Sequence, residues 1–176
     1  MDIKRALKID GWMTEKELDW LALAASQCES IIEVGSWLGR STRALADNCN
    51  GVVMAVDTWE GSKEHQEELT GKDKNYLYDK FLENMKDTKA LVYPYRGLSV
   101  EVAKNFPKQV DMVFLDASHD YDNVIADINA WLPLVKQGGI LCGHDYAAPW
   151  WGVIKAVTES FKKWGYFESI WGYIKE

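Results

Sequence analysis

The sequence predicts an α/β fold, a single doubly wound layer with a mostly parallel sheet and helices on both faces. Three observations carry this prediction. Short apolar runs alternate with segments whose apolar residues recur at helical spacing. The runs "SIIEV", "VVMAV" and "VDMVFL" are nearly continuous in apolar residues, as strands buried on both faces are. They end in a glycine turn or a carboxylate, and in such sheets ligands lie beyond the carboxyl ends of the strands, where strand order reverses.

The elements follow in order. Thr14 with Glu17 three residues on is a capping-box pattern that opens a helix over "TEKELDWLALAASQ", making 1–29 an N-terminal helical segment. "SIIEVGSWLG" is a strand breaking at Gly35, and "RSTRALADNC" resumes as a helix. "GVVMAVDTWEG" is the second strand, and "KNYLYDKFLENM" sets Leu77, Tyr78, Phe81, Leu82 and Met85 on one helical face. "ALVYPYRG" is a third strand weakened by Pro94, followed by a short helix capped by Ser99. "VDMVFLD" is the fourth, and a stripe of Val124, Ile125, Ile128, Trp131 and Leu132 marks the next helix. "GGILCGHDY" is the fifth strand. The helix "GVIKAVTESFKKW" then leads to a closing antiparallel hairpin that turns at Trp171-Gly172.

At 176 residues the chain suits one domain, 1–176. Its 47% hydrophobic and 27% charged residues are the balance of a globular protein. No apolar run approaches the ~20 residues of a membrane helix, and "MDIKRALKIDGW" lacks a secretory apolar segment, so the cytoplasm is expected. Cys28, Cys49 and Cys142 form no CxxC and read as packing thiols. A net charge of -7 offers no general attraction to nucleic acid. The expected partners are a small-molecule acceptor and, in a homodimer, a second copy, with neither nucleic acid nor membrane. The polar stretch from Glu60 to Asn75 is either a solvated loop or a lid over the site, and His65 within it reads as surface.

"EVGSWLGRS" follows a strand and opens a helix, so its backbone can approach a ligand closely. A dinucleotide fingerprint needs glycine at 35, 37 and 40, but Trp37 and Arg40 fill two of these positions. The loop therefore suits a nucleoside-like ligand without a diphosphate. Asp57 ends the next strand about 20 residues on, where an acid accepts both hydrogens of a ribose diol; alternatively it caps its own turn.

With these motifs the chain resembles the class I S-adenosylmethionine-dependent methyltransferases, whose domain is Rossmann-like. "EVGSWLGRS" is similar to the first motif of the catechol-type, metal-dependent O-methyltransferases, and "AVDTWEGS" to the acidic second motif. "LDASHDYDNVIADINAWLPLVKQGGILCGHDY" resembles a branch described as methyltransferase family 24. The likeness extends over roughly residues 30 to 160. It implies that Glu33, Gly35, Ser36 and Trp37 lie beside the methionine part of S-adenosyl-L-methionine, with Ser41 near its carboxylate. Asp57 would hold the ribose, Thr58 or Trp59 would lie by the adenine, and Ser99 would reach the adenine edge; Trp59 is equally a plausible core residue.

The same resemblance implies a divalent cation, Mg2+ or Mn2+, held by Asp116 and the His144-Asp145 pair, with Asp116 also facing the cofactor and taking part in catalysis. Where catechol-type enzymes place a lysine base, this chain has His119, and an imidazole can remove a proton near neutral pH. His144-Asp145 departs from the Asp-Asn pair of that type, so His144 is read either as a ligand or as a group holding Asp145. Asp120 and Tyr121 read as cap and turn residues. Tyr146, Trp150 and Trp151 form either an aromatic wall for a flat or sugar-like acceptor or a loop folded onto the core. The expected activity is O-methylation of a small-molecule or sugar-like hydroxyl. The alternatives are a nicotinamide-binding oxidoreductase and a non-catalytic S-adenosylmethionine-binding protein.

Overall fold

The computed structural model describes residues 1–62, 66–67 and 69–176. His65 and part of the 60–75 loop lie outside the described residues. In chain order the elements are α1 (Glu15–Ala25), β1 (Ser30–Val34), α2 (Arg40–Asn48), β2 (Val52–Asp57), α3 (Tyr76–Asn84), β3 (Leu91–Arg96), α4 (Ser99–Lys104), β4 (Val110–Leu115), α5 (Tyr121–Trp131), β5 (Val135–Gly143), α6 (Trp151–Ser160), β6 (Gly165–Phe167) and β7 (Ile170–Ile174). They build one seven-stranded sheet in the order β3-β2-β1-β4-β5-β7-β6. The first five strands are parallel, and β7 and β6 close the sheet antiparallel. Strand order reverses between β1 and β4.

Apolar runs become strands here because each successive side chain finds a core on its own side of the sheet. Ile31, Met112 and Phe114 pack with Leu18, Leu21 and Leu45 of α1 and α2. Their neighbours Ile32, Val113 and Leu115 pack on the other face with Val124, Ile128, Trp131 and Val157 of α5 and α6. α3 adds a third cluster of Leu77, Phe81 and Met85 around Trp59 and Ala55. Leu82, expected on the same face as these, is exposed. Among the described residues, no helix is long and apolar enough to cross a membrane.

The capping box at α1 forms as its sequence predicts. Thr14 Oγ1 accepts from Glu17 N at 3.3 Å, and Glu17 Oε2 accepts from Thr14 N at 2.8 Å. α4 differs from expectation: Leu98 is its cap, and Ser99 is the first helical residue. Asp120 does occupy the cap position of α5, though its side chain makes no capping bond.

β3 runs its full six residues despite Pro94. Leu91 N bonds to Gly51 O and Gly97 N to Asp57 O, so the two-residue period turns the odd-numbered amides toward β2. Pro94's nitrogen consequently faces the open rim, where no ladder bond is lost. β5 begins at Val135, ahead of the apolar run. Its register against β4 shifts between Val110 and Met112, and the residues 136–138 taken up in that irregularity are exposed and polar or glycine.

The closing hairpin is present, but it turns at Glu168-Ser169 rather than at Trp171-Gly172. Trp171 is 1% exposed and belongs to the core, so burying its ring sets the register, and Glu168 takes the left-handed turn conformation at φ +51°.

Candidate active site

Sheet register alone aligns the candidate residues. Val34 pairs with Val56 on one side and with Leu115 on the other, and Leu115 pairs with Gly143. The next residue of each strand is therefore Gly35, Asp57, Asp116 or His144, a row along the carboxyl rim at the point where strand order reverses. A cavity of about 760 Å3 opens above this row. Its lining includes Gly35, Ser36, Trp37, Ser41, Asp57, Thr58, Ser99, Asp116, His119, His144 and Asp145.

On the β1 side the chain turns sharply. Gly35 sits at φ +88°, and a Cβ there would lie 2.1 Å from the carbonyl oxygen of Asp116. Both the left-handed backbone and the contact require glycine. Gly35→Ala is expected to cost about 2–5 kcal/mol, from left-handed strain plus overpacking, measured as a lower urea midpoint. An unchanged midpoint would show that the loop relaxes away from β4.

Trp37 at φ +48°, Trp59 at φ +52° and Asp145 at φ +63° also hold left-handed backbones, which concentrates strained non-glycine residues at these strand ends. Asp57 secures the turn: its Oδ2 accepts from Ser36 N at 2.8 Å and Trp37 N at 2.9 Å, and its Oδ1 accepts from Trp59 N at 2.7 Å. It thus caps its own turn and still faces the cavity. With about four lone-pair sites on a carboxylate and three in use, it has room for one further donor without releasing a backbone bond.

Glu33 does not line the cavity. It is fully buried behind the turn, where its Oε2 accepts from Ser36 Oγ at 2.7 Å and from Thr42 Oγ1, while its Oε1 has no partner. Burial pushes its carboxyl up to about 7 against the hydroxyls of Thr42, Ser41 and Ser36.

Two residues expected by the adenine have partners within the protein. Trp59 is 1% exposed, its Nε1 donates to Trp37 O at 3.0 Å, and its ring packs on Tyr78 and Phe81. It is a core residue and offers no stacking face to the cavity. Ser99 borders the cavity, but its hydroxyl donates to Asp127 Oδ1 at 2.5 Å and accepts from Trp131 Nε1 at 2.8 Å.

The β4–β5 side brings together the other four groups. His144 Nδ1 lies 3.2 Å from Asp145 Oδ1 and 3.7 Å from Asp116 Oδ1. One ligand atom from each of the three residues falls within 4.8 Å of the others, a spacing that suits a cation. His119 Nε2 meets Asp145 Oδ2 at 2.9 Å, and its ring stacks on Trp150 at 3.7 Å. A Cβ on Gly152 would lie 2.2 Å from His119 O, so this glycine lets the start of α6 press against the His119 loop and set Trp150 in place.

Electrostatics separate the two acids. Burial, the charge of Asp145 and the charge of Glu33 raise the Asp116 carboxyl well above its usual range, although His144 opposes them. Burial also acts on Asp145, but hydrogen bonds from His119 and His144 outweigh it and hold that carboxyl below the usual range. Burial would lower His144, yet its bonds to Asp145 and Glu17 and the charge of Asp116 carry it up to about 10.

Of the expected aromatic wall only Trp150 reaches the cavity. Tyr146 turns away to Trp164 at 4.7 Å, and Trp151 is exposed. A different wall was not anticipated: Asp10 to Met13, with Trp12 at 5.6 Å from Trp37. Arg40, first residue of α2, pins this segment by donating to Ile9 O at 2.6 Å and Met13 O at 3.0 Å. A cation at a helix N-terminus is disfavoured by the macrodipole, a sequence signal that Arg40 has another partner.

In sequence, the family described as Methyltransferase domain matches residues 32–146. No curated protein matches the chain. In fold it is similar to a protein from Corynebacterium glutamicum, with 16% identity and a TM-score of 0.70 over 99% of this chain and 90% of that one. An O-methyltransferase from Bacillus cereus in complex with SAH has 16% identity and a TM-score of 0.64, covering 98% of this chain and 90% of its own. The O-methyltransferase TomG from Streptomyces achromogenes, involved in tomaymycin synthesis and solved with SAM, has 13% identity and a TM-score of 0.61, covering 94% and 82%.

Proposed function

The chain belongs to the family of methyltransferase domains matched over residues 32–146, and from that premise we propose that it is an S-adenosylmethionine-dependent O-methyltransferase acting on a small hydroxylated acceptor in the cytoplasm. The observation that carries the reading is the shared cavity. The Gly35-Asp57 turn, suited to a nucleoside, and the Asp116-His119-His144-Asp145 cluster, suited to activating a hydroxyl, open onto the same space. Two similar structures are O-methyltransferases solved with SAH or SAM, which supports the cofactor.

The residues fit such a ligand. Asp57 has room for a ribose hydroxyl, and the glycine turn beside it, with Ser36, Trp37 and Ser41, borders the same cavity. When bound, S-adenosylmethionine supplies an electrophilic methyl on a sulfonium, which an acceptor oxygen takes up as the thioether leaves. His119 is the base in this reading. Its imidazole would take the hydroxyl proton, and the Asp145 carboxylate, 2.9 Å from Nε2, would stabilise the resulting imidazolium. Asp116, His144 Nδ1 and Asp145 Oδ1 also fit a divalent cation, which would lower the pKa of a coordinated hydroxyl.

The test is calorimetric titration of S-adenosylmethionine into metal-stripped protein, with and without Mn2+. Saturable one-to-one binding is expected, with a change in affinity or heat when Mn2+ is present. Absence of binding in both conditions, with binding of NADH instead, would replace this reading by the oxidoreductase. Binding without turnover of any hydroxyl would favour a cofactor-holding protein.

A further inference from the structure

We propose that Glu17, on the first turn of α1, is a positioning residue that holds His144 with its Nδ1 turned toward Asp116 and Asp145. The inference rests on the cation reading given above and extends it to a group outside the matched family region.

Glu17 is 4% exposed, unusual for an acid whose first task is to close a capping box. One oxygen is enough for that box: Oε2 accepts from Thr14 N at 2.8 Å and Thr14 Oγ1 at 2.9 Å. The other oxygen is turned into the protein. Oε1 accepts from Ser169 N at 3.3 Å and from the Ser169 hydroxyl, and lies 3.2 Å from His144 Nε2. Ser169 Oγ is itself 2.9 Å from the same Nε2.

These contacts fix a proton. Both Glu17 oxygens are filled by donors, Thr14 N and Oγ1 on Oε2 and Ser169 N and Oγ on Oε1, and a carboxylate so surrounded only accepts. The single hydroxyl hydrogen of Ser169 therefore goes to Glu17, and its oxygen must accept from His144. Nε2 is thus the N–H of the ring whatever happens at the other nitrogen. That leaves Nδ1 as the nitrogen available to a cation, 3.2 Å from Asp145 Oδ1 and 3.7 Å from Asp116 Oδ1. A carboxylate that fixes the tautomer and tilt of a ligating imidazole is the recurring outer-shell device of metal centres. Here the carboxylate comes from α1, and the hydroxyl from the β6–β7 turn, whose Ser169 O also receives Tyr146 N at 2.8 Å.

The test is Mn2+ titration of the full chain, followed by electron paramagnetic resonance of the free ion, in four forms. Wild type should bind one Mn2+ and Asp116→Asn should lose it. Glu17→Gln can still accept from Thr14 N but offers an amide to the ring, and should bind Mn2+ about 10- to 100-fold more weakly. Thr14→Ala removes the cap and keeps the carboxylate on His144, so it should lower thermal stability without changing Mn2+ affinity. A purely structural Glu17 would give the reverse: both variants less stable, both with wild-type affinity. Equal affinity in wild type and Glu17→Gln overturns the proposal alone, whereas no Mn2+ binding by wild type overturns it together with the cation reading. Should Glu17→Gln fail to fold, Glu17→Asp, which keeps the charge and shortens the reach, carries the same comparison and the same overturning result.

Discussion

His119→Asn is expected to lower turnover by about 10²- to 10⁴-fold, the usual share of a general base, while S-adenosylmethionine binding stays at the wild-type level. The split follows from position. His119 stands with Asp145 and Trp150 on the β4–β5 side, away from the Gly35-Asp57 turn that would hold the nucleoside. Its loss removes the proton acceptor and unloads one oxygen of Asp145, but touches none of the hydrogen bonds of that turn. SAH release on a panel of phenolic and sugar hydroxyls, beside calorimetry of each variant, reads both quantities. Turnover retained in His119→Asn would move the base elsewhere, with Asp116 the next group on the cavity wall.

Asp57→Ala should have the larger effect on binding, weakening S-adenosylmethionine by at least about 100-fold. A hydrogen bond to a charged group is worth about 1.5–3 kcal/mol, and this carboxylate also accepts three backbone amides that shape the turn around the ligand. The two contributions separate in Asp57→Asn. The amide keeps an acceptor for part of the turn and so should fold better than the alanine variant, yet it puts a donor where one carboxylate oxygen was. Affinity should fall in both variants and thermal stability mainly in alanine. Wild-type affinity in Asp57→Asn would mean that Asp57 builds the turn and leaves the ligand to other residues.

The sheet was legible because its inner strands are buried on both faces, so composition alone betrays "SIIEV", "VVMAV" and "VDMVFL". The row Gly35, Asp57, Asp116, His144 was legible for the related reason that parallel register puts strand-terminal residues side by side. What misled was local chemistry overruled by packing. Trp171-Gly172 looks like a turn, but a tryptophan that can reach the core does so, and the turn moved to Glu168-Ser169. Trp59, two residues beyond a site acid, likewise went to the core.

Glu17, Ser169 and Trp12 were not legible as site residues. They arrive from the two ends of the chain through contacts spanning up to 152 residues, and no periodicity records such meetings. The capping box at Thr14-Glu17 was readable, but only for the oxygen it uses.

The two rims of the sheet bear on how copies of this chain can meet. Along β3, Leu91, Tyr93 and Tyr95 are exposed, a row of apolar and aromatic side chains that would invite a passing strand to dock. Pro94 sits in the middle of that row with its nitrogen outward, so a visiting strand finds a missing donor and a ring in its way. At the far rim β6 ends after three residues. Neither border offers a visiting strand an uninterrupted ladder, so edge-to-edge pairing between copies is disfavoured at the level of the backbone.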